Sequence, residues 1–430
     1  MNEENKNTYT LKPEEELRFE VDFGRSENDS VKMILTQGTA EIFGTEISQM
    51  KPYIFPGGSK LAIYTFSGCT LEMTGVTTNA YVASEAPMSA YYDISEQLEK
   101  EREQVNLQNP NSCGPRVLIC GAADTGKSSL SKILINYATR LKSSVLFADL
   151  DVGQGEISIP GTLSIATVNT PIDIMEGFSL CSPLTYFFGY NSPDKNIPHY
   201  KMIVERVAEM LEVKTKHNPE FRRGGYIVNT CGWIEGAGYQ LLTSIIQTLK
   251  ISHVLVMGDD RLTNNLKRDL QPTGQENSNI TITRLQKSGG VVNRSTNFRR
   301  LSRMQKIREY FNGTATKLSY HSIRLKFDEV QVFRVGNNIQ APAGALPIGE
   351  QSNFDPTQPR EIPIVATLNS KILAVSHANV ESEIPVKNVA GFVHVTGVDM
   401  DKREITVSAP SPGKIPKKFL ILASLEWLED

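Results

Sequence analysis

Few features of this sequence point away from a soluble globular protein. No apolar run approaches the ~18 residues of a transmembrane helix, so neither a membrane span nor a membrane partner is expected. The polar start, MNEENK, lacks the apolar core of a signal peptide. The net charge is only −3, which excludes nucleic-acid binding by overall charge and requires any basic surface to be local.

Cysteine is scarce as well. The chain has five cysteines, an odd and widely scattered set: Cys69, Cys113, Cys120, Cys181 and Cys231. None forms a close pair of the kind that binds zinc, so we expect no zinc site and reduced thiols in a cytosolic or nuclear protein. The guanine-reading pattern Asn-Lys-X-Asp is missing too, which weakens a GTPase interpretation.

Hydrophobic patterning divides the 430 residues into three domains and a linker. Short alternating runs between glycine turns predict an N-terminal β-sandwich over residues 1–92. A linker helix is expected within 93–114, an α/β domain with a mostly parallel sheet over 115–312, and a small β-rich domain over 313–430. The candidate strands of the last two domains are 116–120, 144–149, 225–230, 253–257, 280–285, 322–335, 389–398 and 405–407. The stretch 341–363, rich in Pro and Gly, is predicted to be mostly loop.

One stretch of the α/β domain carries a motif with a defined chemistry. Residues 121–128, GAADTGKS, have the Walker A spacing and lie between the first buried strand and a helix predicted over 129–141. That helix would bury one face, formed by Leu130, Ile133, Leu134, Tyr137, Ala138 and Leu141. A strand, a glycine loop and a helix N-terminus together place several backbone N–H groups around one anion.

The motif therefore predicts a nucleoside triphosphate site with Mg²⁺. Lys127 would place its charge at the β- and γ-phosphates, and Ser128 would offer its hydroxyl to the metal. The residues expected to bind the nucleotide are Gly121, Asp124, Thr125, Gly126, Lys127, Ser128 and Ser129. The alternative is an ordinary glycine turn.

Two acids follow the second strand of this domain, in the run DLDVGQG at 149–155. Asp149 and Asp151 alternate, so both would point to the same side if the strand persists. One carboxylate would serve Mg²⁺ through water, and the other would accept a proton from an attacking hydroxyl. The pattern leaves open which of the two is the base. Turn-forming aspartates at a strand end are the alternative.

The run NTCGW at 229–233 follows another buried strand. Trp233 is one of only two tryptophans, and it lies where a ligand would approach, so it could stack on a base. A tryptophan of the core is the alternative.

The segment 284–308 has a one-sided charge. It contains eight cations and no Asp or Glu, in a chain that is net negative: Arg284, Lys287, Arg294, Arg299, Arg300, Arg303, Lys306 and Arg308. Such a cluster near a P-loop can close over transferring phosphates or hold a nucleic-acid backbone. Ser288-Gly289-Gly290 could serve as its hinge. The alternative is a solvated basic helix.

Together these residues resemble the polyribonucleotide 5′-hydroxyl-kinase family, which includes the RNA kinase subunit of pre-mRNA cleavage complex II. The resemblance covers nearly the whole chain, through AEIFGTE at 40–46, DTGKS at 124–128, DLDVGQG at 149–155, NTCGW at 229–233, KSGGVV at 287–292 and AGF at 390–392. Ala122 and Ala123 stand where relatives often have Pro-Thr, and a backbone cradle needs neither side chain.

The resemblance implies a β-sandwich, a central P-loop kinase domain and a small C-terminal domain. It implies ATP-dependent phosphorylation of 5′-hydroxyl ends of RNA, and of DNA less generally, in tRNA splicing and pre-mRNA 3′-end processing. Glu16 and Lys60 would reach over the nucleotide from the sandwich. In the active site Asp151 would be the base, Asp149 and Ser128 would serve the metal, and Arg294 would close over the phosphates. The residues expected to bind the RNA are Gln154, Trp233, Arg299 and Arg300.

The implied partners are RNA with a 5′-hydroxyl end and subunits of the pre-mRNA cleavage factor and tRNA splicing endonuclease complexes. A nuclear protein with a monomeric catalytic unit is expected. Two alternatives remain: a catalytically silent, ATP-bound scaffold of an mRNA cleavage complex, and a small-molecule kinase. The presence of Lys127, Ser128, Asp151 and the arginines of the basic segment favours the RNA kinase over the scaffold.

Overall fold

The computed structural model describes residues 6–23, 30–109, 112–178, 183–271, 280–314, 316–336 and 355–427. The polar N-terminal start, Cys181 and most of the predicted loop at 341–363 lie outside these residues. The chain folds as two compact units. The first is formed by Met1–Asp149, Ala166–Cys181 and Met210–Ser302, and the second by Leu150–Ile165, Ser182–Glu209 and Arg303–Asp430.

The N-terminal strands form a β-sandwich, as predicted. They are β1 (Lys6–Leu11), β2 (Glu16–Glu20), β3 (Val31–Gly38), β4 (Glu41–Ile42), β5 (Thr45–Glu46), β6 (Pro52–Phe55), β7 (Lys60–Tyr64), β8 (Cys69–Thr74) and β9 (Asn79–Ala83). One sheet has the order β1-β8-β3-β6 and the other β5-β4-β7-β2-β9. Alternate side chains fill the core between them, among them Leu17, Phe19 and Ile63 from one sheet and Leu35 and Leu71 from the other.

The middle of the chain alternates helices and strands. In chain order these are α1 (Met88–Glu103), β10 (Arg116–Cys120), α2 (Lys127–Arg140), β11 (Val145–Asp149), β12 (Thr162–Val168), β13 (Leu184–Phe187), α3 (Ile197–His217), α4 (Pro219–Gly224), β14 (Tyr226–Asn229), α5 (Ala237–Thr248), β15 (His253–Met257), α6 (Asp260–Leu270), β16 (Thr281–Leu285) and α7 (Thr296–Asn312). In the first unit five strands run parallel in the order β11-β14-β10-β15-β16. This pairing confirms the predicted parallel sheet. The first four of these strands are mostly buried, whereas the edge strand β16 alternates between buried and exposed residues.

Helix α2 follows the P-loop and buries the face predicted for it, with one exception. Leu130, Ile133, Leu134, Tyr137 and Ala138 are buried. Leu141 is 62% exposed, so its place on the buried face was predicted wrongly. The reason is that the helix ends at Arg140, and the residue after its last turn no longer follows the helical period.

The second unit contains the C-terminal β-rich domain. Its strands are β17 (His321–Lys326), β18 (Gln331–Val335), β19 (Pro359–Ile362), β20 (Lys371–Ser376), β21 (Val389–Asp399), β22 (Glu404–Ala409) and β23 (Phe419–Glu426). They form one sheet in the order β17-β22-β21-β20-β23-β18-β19. Both faces are buried, since Ile372 and Ala374 enter one core while Leu373 and Val375 enter another. Residues 162–165 of β12 pair antiparallel with β13 in this unit.

Two predicted boundaries in this domain need correction. The single strand expected over 322–335 is two strands, because a turn separates β17 from β18. The predicted loop at 341–363 includes β19, whose residues pair with β18 despite the proline at its start, a position where the missing N–H is tolerated. The fold class is confirmed, whereas the exact domain boundaries stay predictions. Among the described helices, none is long and apolar enough to cross a membrane.

Candidate active site

The P-loop connects β10 to α2 through residues with unusual backbone angles. Gly121 and Gly126 have φ values of 145° and 90°, and Asp124 reaches 55° although it is not a glycine. Gly126 directly precedes α2, so the loop ends at a helix N-terminus for which the N-cap residue supplies no side-chain hydrogen bond, and the first N–H groups of such a helix suit an anion. Burial raises the pKa of the Cys120 thiol to about 12, which makes the residue before the loop a neutral core residue.

The side chain of Lys127 is folded into the loop. It is buried, and its Nζ donates to the carbonyl oxygen of Ala122 at 2.7 Å. The hydroxyl of Thr125 donates to the same oxygen at 2.9 Å. One backbone carbonyl therefore holds the cation at the centre of the cradle, where a bound phosphate would lie.

Strand register brings Asp149 next to Asn229. Each is the last residue of its strand, and the two face each other in the parallel pairing of β11 with β14. Asp149 is 2% exposed, and Asn229 Nδ2 donates to its Oδ1 at 3.1 Å. The same Nδ2 lies 3.5 Å from the Ser128 hydroxyl. The buried amide of Asn229 thus lies between Asp149 and Ser128 and contacts both.

Asp151 lies in a different local setting. Strand β11 ends at Asp149, so the alternation that would have pointed both acids to one side does not extend to residue 151. Asp151 is half-buried in the second unit, and its Oδ1 accepts from the backbone N–H groups of Gly153 at 2.9 Å and Gln154 at 3.1 Å. The Gln154 amide donates to the Gly153 carbonyl at 2.7 Å. Asp151 therefore forms a turn, as in the alternative interpretation, and also presents a partly exposed carboxylate.

Trp233 is half-buried, whereas the other tryptophan, Trp427, is a core residue at 5% exposure. Two glycines allow its loop to approach its neighbours closely. A Cβ on Gly232 would lie 2.5 Å from the backbone nitrogen of Ala123, and one on Gly238 would lie 2.6 Å from Cγ of Trp233. The loop after β14 therefore lies directly against the P-loop, and the indole packs on the start of α5.

The basic segment contacts the P-loop through Asp124. This carboxylate accepts from the backbone N–H of Arg294 at 2.9 Å and from Nη2 of Arg299 at 2.6 Å. The Arg294 guanidinium lies over the Phe298 ring, 5.7 Å from its centroid. Arg300 is exposed and donates to Asn297 at 3.3 Å. The side chain that reaches the P-loop is therefore that of Arg299, while Arg294 contributes its backbone there.

The sandwich meets the same segment at Phe298. The Lys60 ammonium lies 4.8 Å from the centroid of the Phe298 ring, and Phe23 packs on this ring at 5.1 Å. Lys60 also pairs with Glu20. Glu16, by contrast, is buried inside its sheet and bound by Arg18. Burial raises the pKa of Glu16, and the Arg18 charge opposes that effect.

The glycines at 289 and 290 have a packing role that their sequence did not reveal. A Cβ on Gly290 would lie 2.7 Å from Nε of Arg18, and one on Gly289 would lie 3.2 Å from Nη1. Neither Gly289 nor Gly290 has a positive φ, so neither position needs a glycine for its backbone conformation. Close approach to Arg18 explains these glycines, so the structure provides no support for a hinge.

Three contact residues of the site were not given these roles from the sequence. Asn229 was part of a noted motif but received no function, and Phe298 and the carboxylate of Asp124 were not considered as contacts. A polar residue at the end of a buried strand, beside another strand ending in Asp, is the signal that could have identified Asn229.

Comparison with known proteins gives a consistent result along the whole chain. Residues 121–313 match the family model described as the mRNA cleavage and polyadenylation factor CLP1 P-loop. Residues 318–429 match the pre-mRNA cleavage complex II protein Clp1, and 10–105 match the N-terminal β-sandwich domain of polyadenylation factor.

Individual relatives and solved structures agree. A protein CLP1 homolog of Arabidopsis thaliana is 42% identical, with 97% of this chain and 94% of the relative covered. The polyribonucleotide 5′-hydroxyl-kinase Clp1 of Gallus gallus is 38% identical, with 98% and 96% covered. A chain of the wild-type Clp1p–Pcf11p complex has a TM-score of 0.84 at 24% identity, covering 100% of this chain and 99% of that one, and shows the same fold.

Proposed function

The chain belongs to the Clp1 family, and we propose that it transfers the γ-phosphoryl group of ATP to the 5′-hydroxyl of an RNA end. The observation that carries this proposal is its whole-length similarity to proteins named polyribonucleotide 5′-hydroxyl-kinase. The complete P-loop supports it, because Lys127 is held inside the cradle where phosphates would bind.

Mg²⁺ would accompany the nucleotide. Ser128 and Asp149 supply a hydroxyl and a carboxylate, the oxygen ligands that this ion prefers. The residues present fit the ion, because the neighbouring Asn229 leaves a buried amide oxygen without a hydrogen-bond partner among the described residues. Within those residues no three His, Cys, Asp or Glu side chains converge, which agrees with an ion held partly by phosphates and water. When bound, Mg²⁺ would neutralise charge on the phosphates.

The two aspartates would have different roles. Asp149 is nearly inaccessible and is held by Asn229, which suits a role on the metal side. Asp151 is partly exposed and fixed by two backbone donors, which suits a base that orients and deprotonates the 5′-hydroxyl. Asp149 remains the second candidate for the base.

The remaining residues would bind the ends of the two substrates. Lys60 would approach the nucleotide from the sandwich, where it already contacts the basic segment, and Glu16 would act there only indirectly through Arg18. Trp233 would stack on the terminal base, since its indole is half-buried beside the P-loop. Arg294 and Arg299 would cover the phosphates. The remaining RNA contacts would come from Gln154 and Arg300.

A kinase assay with matched oligonucleotides tests the proposal. RNA and DNA of one sequence, each with a 5′-hydroxyl or a 5′-phosphate end, are incubated with labelled ATP, and end-labelling is measured. We expect labelling of the 5′-hydroxyl RNA, weaker labelling of the DNA, and none of the phosphorylated ends. Wild-type protein that binds ATP but labels no end would contradict the proposal.

That outcome would favour the second candidate function, an ATP-bound scaffold of an mRNA cleavage complex. The hydrogen bonds that Arg294 and Arg299 donate to Asp124 favour the scaffold specifically, because they would keep the basic segment closed over a bound nucleotide. By similarity to the Clp1p–Pcf11p complex, the proposed partners are cleavage-factor subunits of the Pcf11 type. We also propose tRNA splicing endonuclease subunits as partners, a nuclear location and a monomeric catalytic unit.

A further inference from the structure

One buried atom beside the proposed metal ligands has no hydrogen-bond partner among the described residues. Asn229 is fully buried, and its Nδ2 is shared between Oδ1 of Asp149 and the hydroxyl of Ser128. An ionised carboxylate can only accept hydrogen bonds, so the nitrogen must face Asp149 and the orientation of the amide is determined. Its other atom, Oδ1, then accepts nothing from the described residues.

A buried acceptor in this state is costly, because it has lost its water without gaining a donor. A second buried asparagine in the same unit shows the usual arrangement. The Asn136 Nδ2 donates to the carbonyl of Phe43 at 2.8 Å, and its Oδ1 accepts from the N–H of Ile172 at 2.8 Å. Asn229 differs in that its amide oxygen has no hydrogen-bond partner in the described part of the chain, next to the two side chains expected to serve Mg²⁺.

We propose that Asn229 is a positioning residue of the metal site. Its nitrogen holds the Asp149 carboxylate beside Ser128, and its oxygen accepts a hydrogen bond from water carried by the Mg²⁺ of Mg·ATP. This ion commonly keeps several waters, and groups that bind such waters orient the direct ligands. The proposal rests on the proposed function, since the metal arrives with the nucleotide.

The test is metal binding rather than turnover. Wild type and Asn229→Leu are compared for Mn²⁺ affinity by electron paramagnetic resonance, with a non-hydrolysable ATP analogue present and no RNA. Loss of an outer-shell partner typically weakens metal binding ~10–100-fold, and we expect a loss in this range for Asn229→Leu. Affinity for the analogue in EDTA, measured by calorimetry, should be unchanged.

Two further variants separate a loss of metal binding from a general loss of stability. Asn136→Leu removes a buried asparagine whose amide nitrogen and oxygen both have hydrogen-bond partners, and it should destabilise the fold without changing Mn²⁺ affinity. Asn229→Asp keeps an acceptor but adds a charge beside Asp149. Its melting temperature without metal should fall, Mn²⁺ should restore it, and metal binding should survive. If Asn229→Leu does not fold, Asn229→Asp still tests whether an oxygen at this position serves the metal site.

Three outcomes would overturn the proposal, and they differ in what else they overturn. Wild-type Mn²⁺ affinity in Asn229→Leu removes the role of Asn229 alone, and complete loss of Mn²⁺ binding in Asn229→Asp removes the role of its oxygen. If the wild-type protein binds the analogue but no Mn²⁺, the proposed metal site is contradicted together with the role of Asn229.

Discussion

Replacing His199 with glutamine should make the second unit less sensitive to acid. His199 lies near the start of α3, is fully buried, and packs against Phe188 with ring centroids 5.6 Å apart. Its Nε2 lies 3.0 Å from the carbonyl oxygen of Pro385, and its Nδ1 has no partner among the described residues. A neutral ring that donates from Nε2 satisfies this site, whereas a second proton on Nδ1 would find no acceptor.

The structure also indicates the sign and the size of the effect. Burial lowers the pKa of His199 from 6.5 to about 4, although the Pro385 hydrogen bond opposes the shift. Between pH 6.5 and about 4 the unfolded chain binds a proton at this histidine and the folded chain does not. The free energy of unfolding therefore falls as the pH falls from 6.5 towards 4. The full difference corresponds to about 3 kcal/mol, of which about 2 kcal/mol is lost by pH 5.

Urea unfolding at pH 8 and pH 5, with amide exchange of α3 as a local probe, measures this loss. Wild type should lose about 2 kcal/mol more than His199→Gln over this interval. The control is His217→Gln, since His217 is exposed near the end of the same helix. Equal losses for wild type and His199→Gln would refute the reasoning, because the ring would then accept its proton without unfolding.

The effect matters for the site because the neighbour of His199 supports the loop that carries a proposed catalytic residue. Tyr200 donates its hydroxyl proton to the carbonyl oxygen of Leu150 at 2.7 Å, and Leu150 directly precedes Asp151. Acid that unfolds the start of α3 should therefore also release this loop.

The remaining predictions concern the site. Lys127→Ala should abolish RNA phosphorylation while the circular dichroism spectrum stays unchanged. Near-normal turnover would show that this loop does not bind the phosphates of ATP. Asp151→Asn should lower the single-turnover rate ~10²–10⁴-fold with ATP affinity retained, and a loss below about tenfold would transfer the base role to Asp149. Arg294→Ala should lower kcat by ~10³ with little change in ATP affinity by calorimetry; equal losses would leave an ordinary basic surface. Arg299→Ala should cost less, and its effect should fade at high salt.

Local patterns were sufficient to predict the core of the fold. The strand Arg116–Cys120 and the helix after GAADTGKS follow from apolar runs and a motif whose function depends on that order of elements. The pairing of Asp149 with Asn229 could also have been derived, since both end buried strands of a parallel sheet. Boundaries were less accurate, as at Leu141, because helix ends depend on caps and packing.

Long-range contacts could not be predicted in this way. Arg299 reaches Asp124 across 175 residues, and no periodicity in either stretch encodes the partner of the other. The charge asymmetry of the segment indicated that it would meet something acidic or a phosphate, but not that the P-loop supplies the carboxylate. Likewise, a pair of glycines suggests a hinge as readily as close packing, and only the position of Arg18 distinguishes them.

The packing of Gly290 on Arg18 has a consequence for how sequences of this fold can vary. Because a Cβ at 290 would lie 2.7 Å from Nε of Arg18, the tolerance of one position depends on the residue at the other. Alanine at 290 should be harmful beside arginine and acceptable beside a shorter residue, so the two changes should show compensation in a double-mutant cycle. A strand of the sandwich and a loop beside the P-loop, 272 positions apart in the chain, would then be inherited as a matched pair.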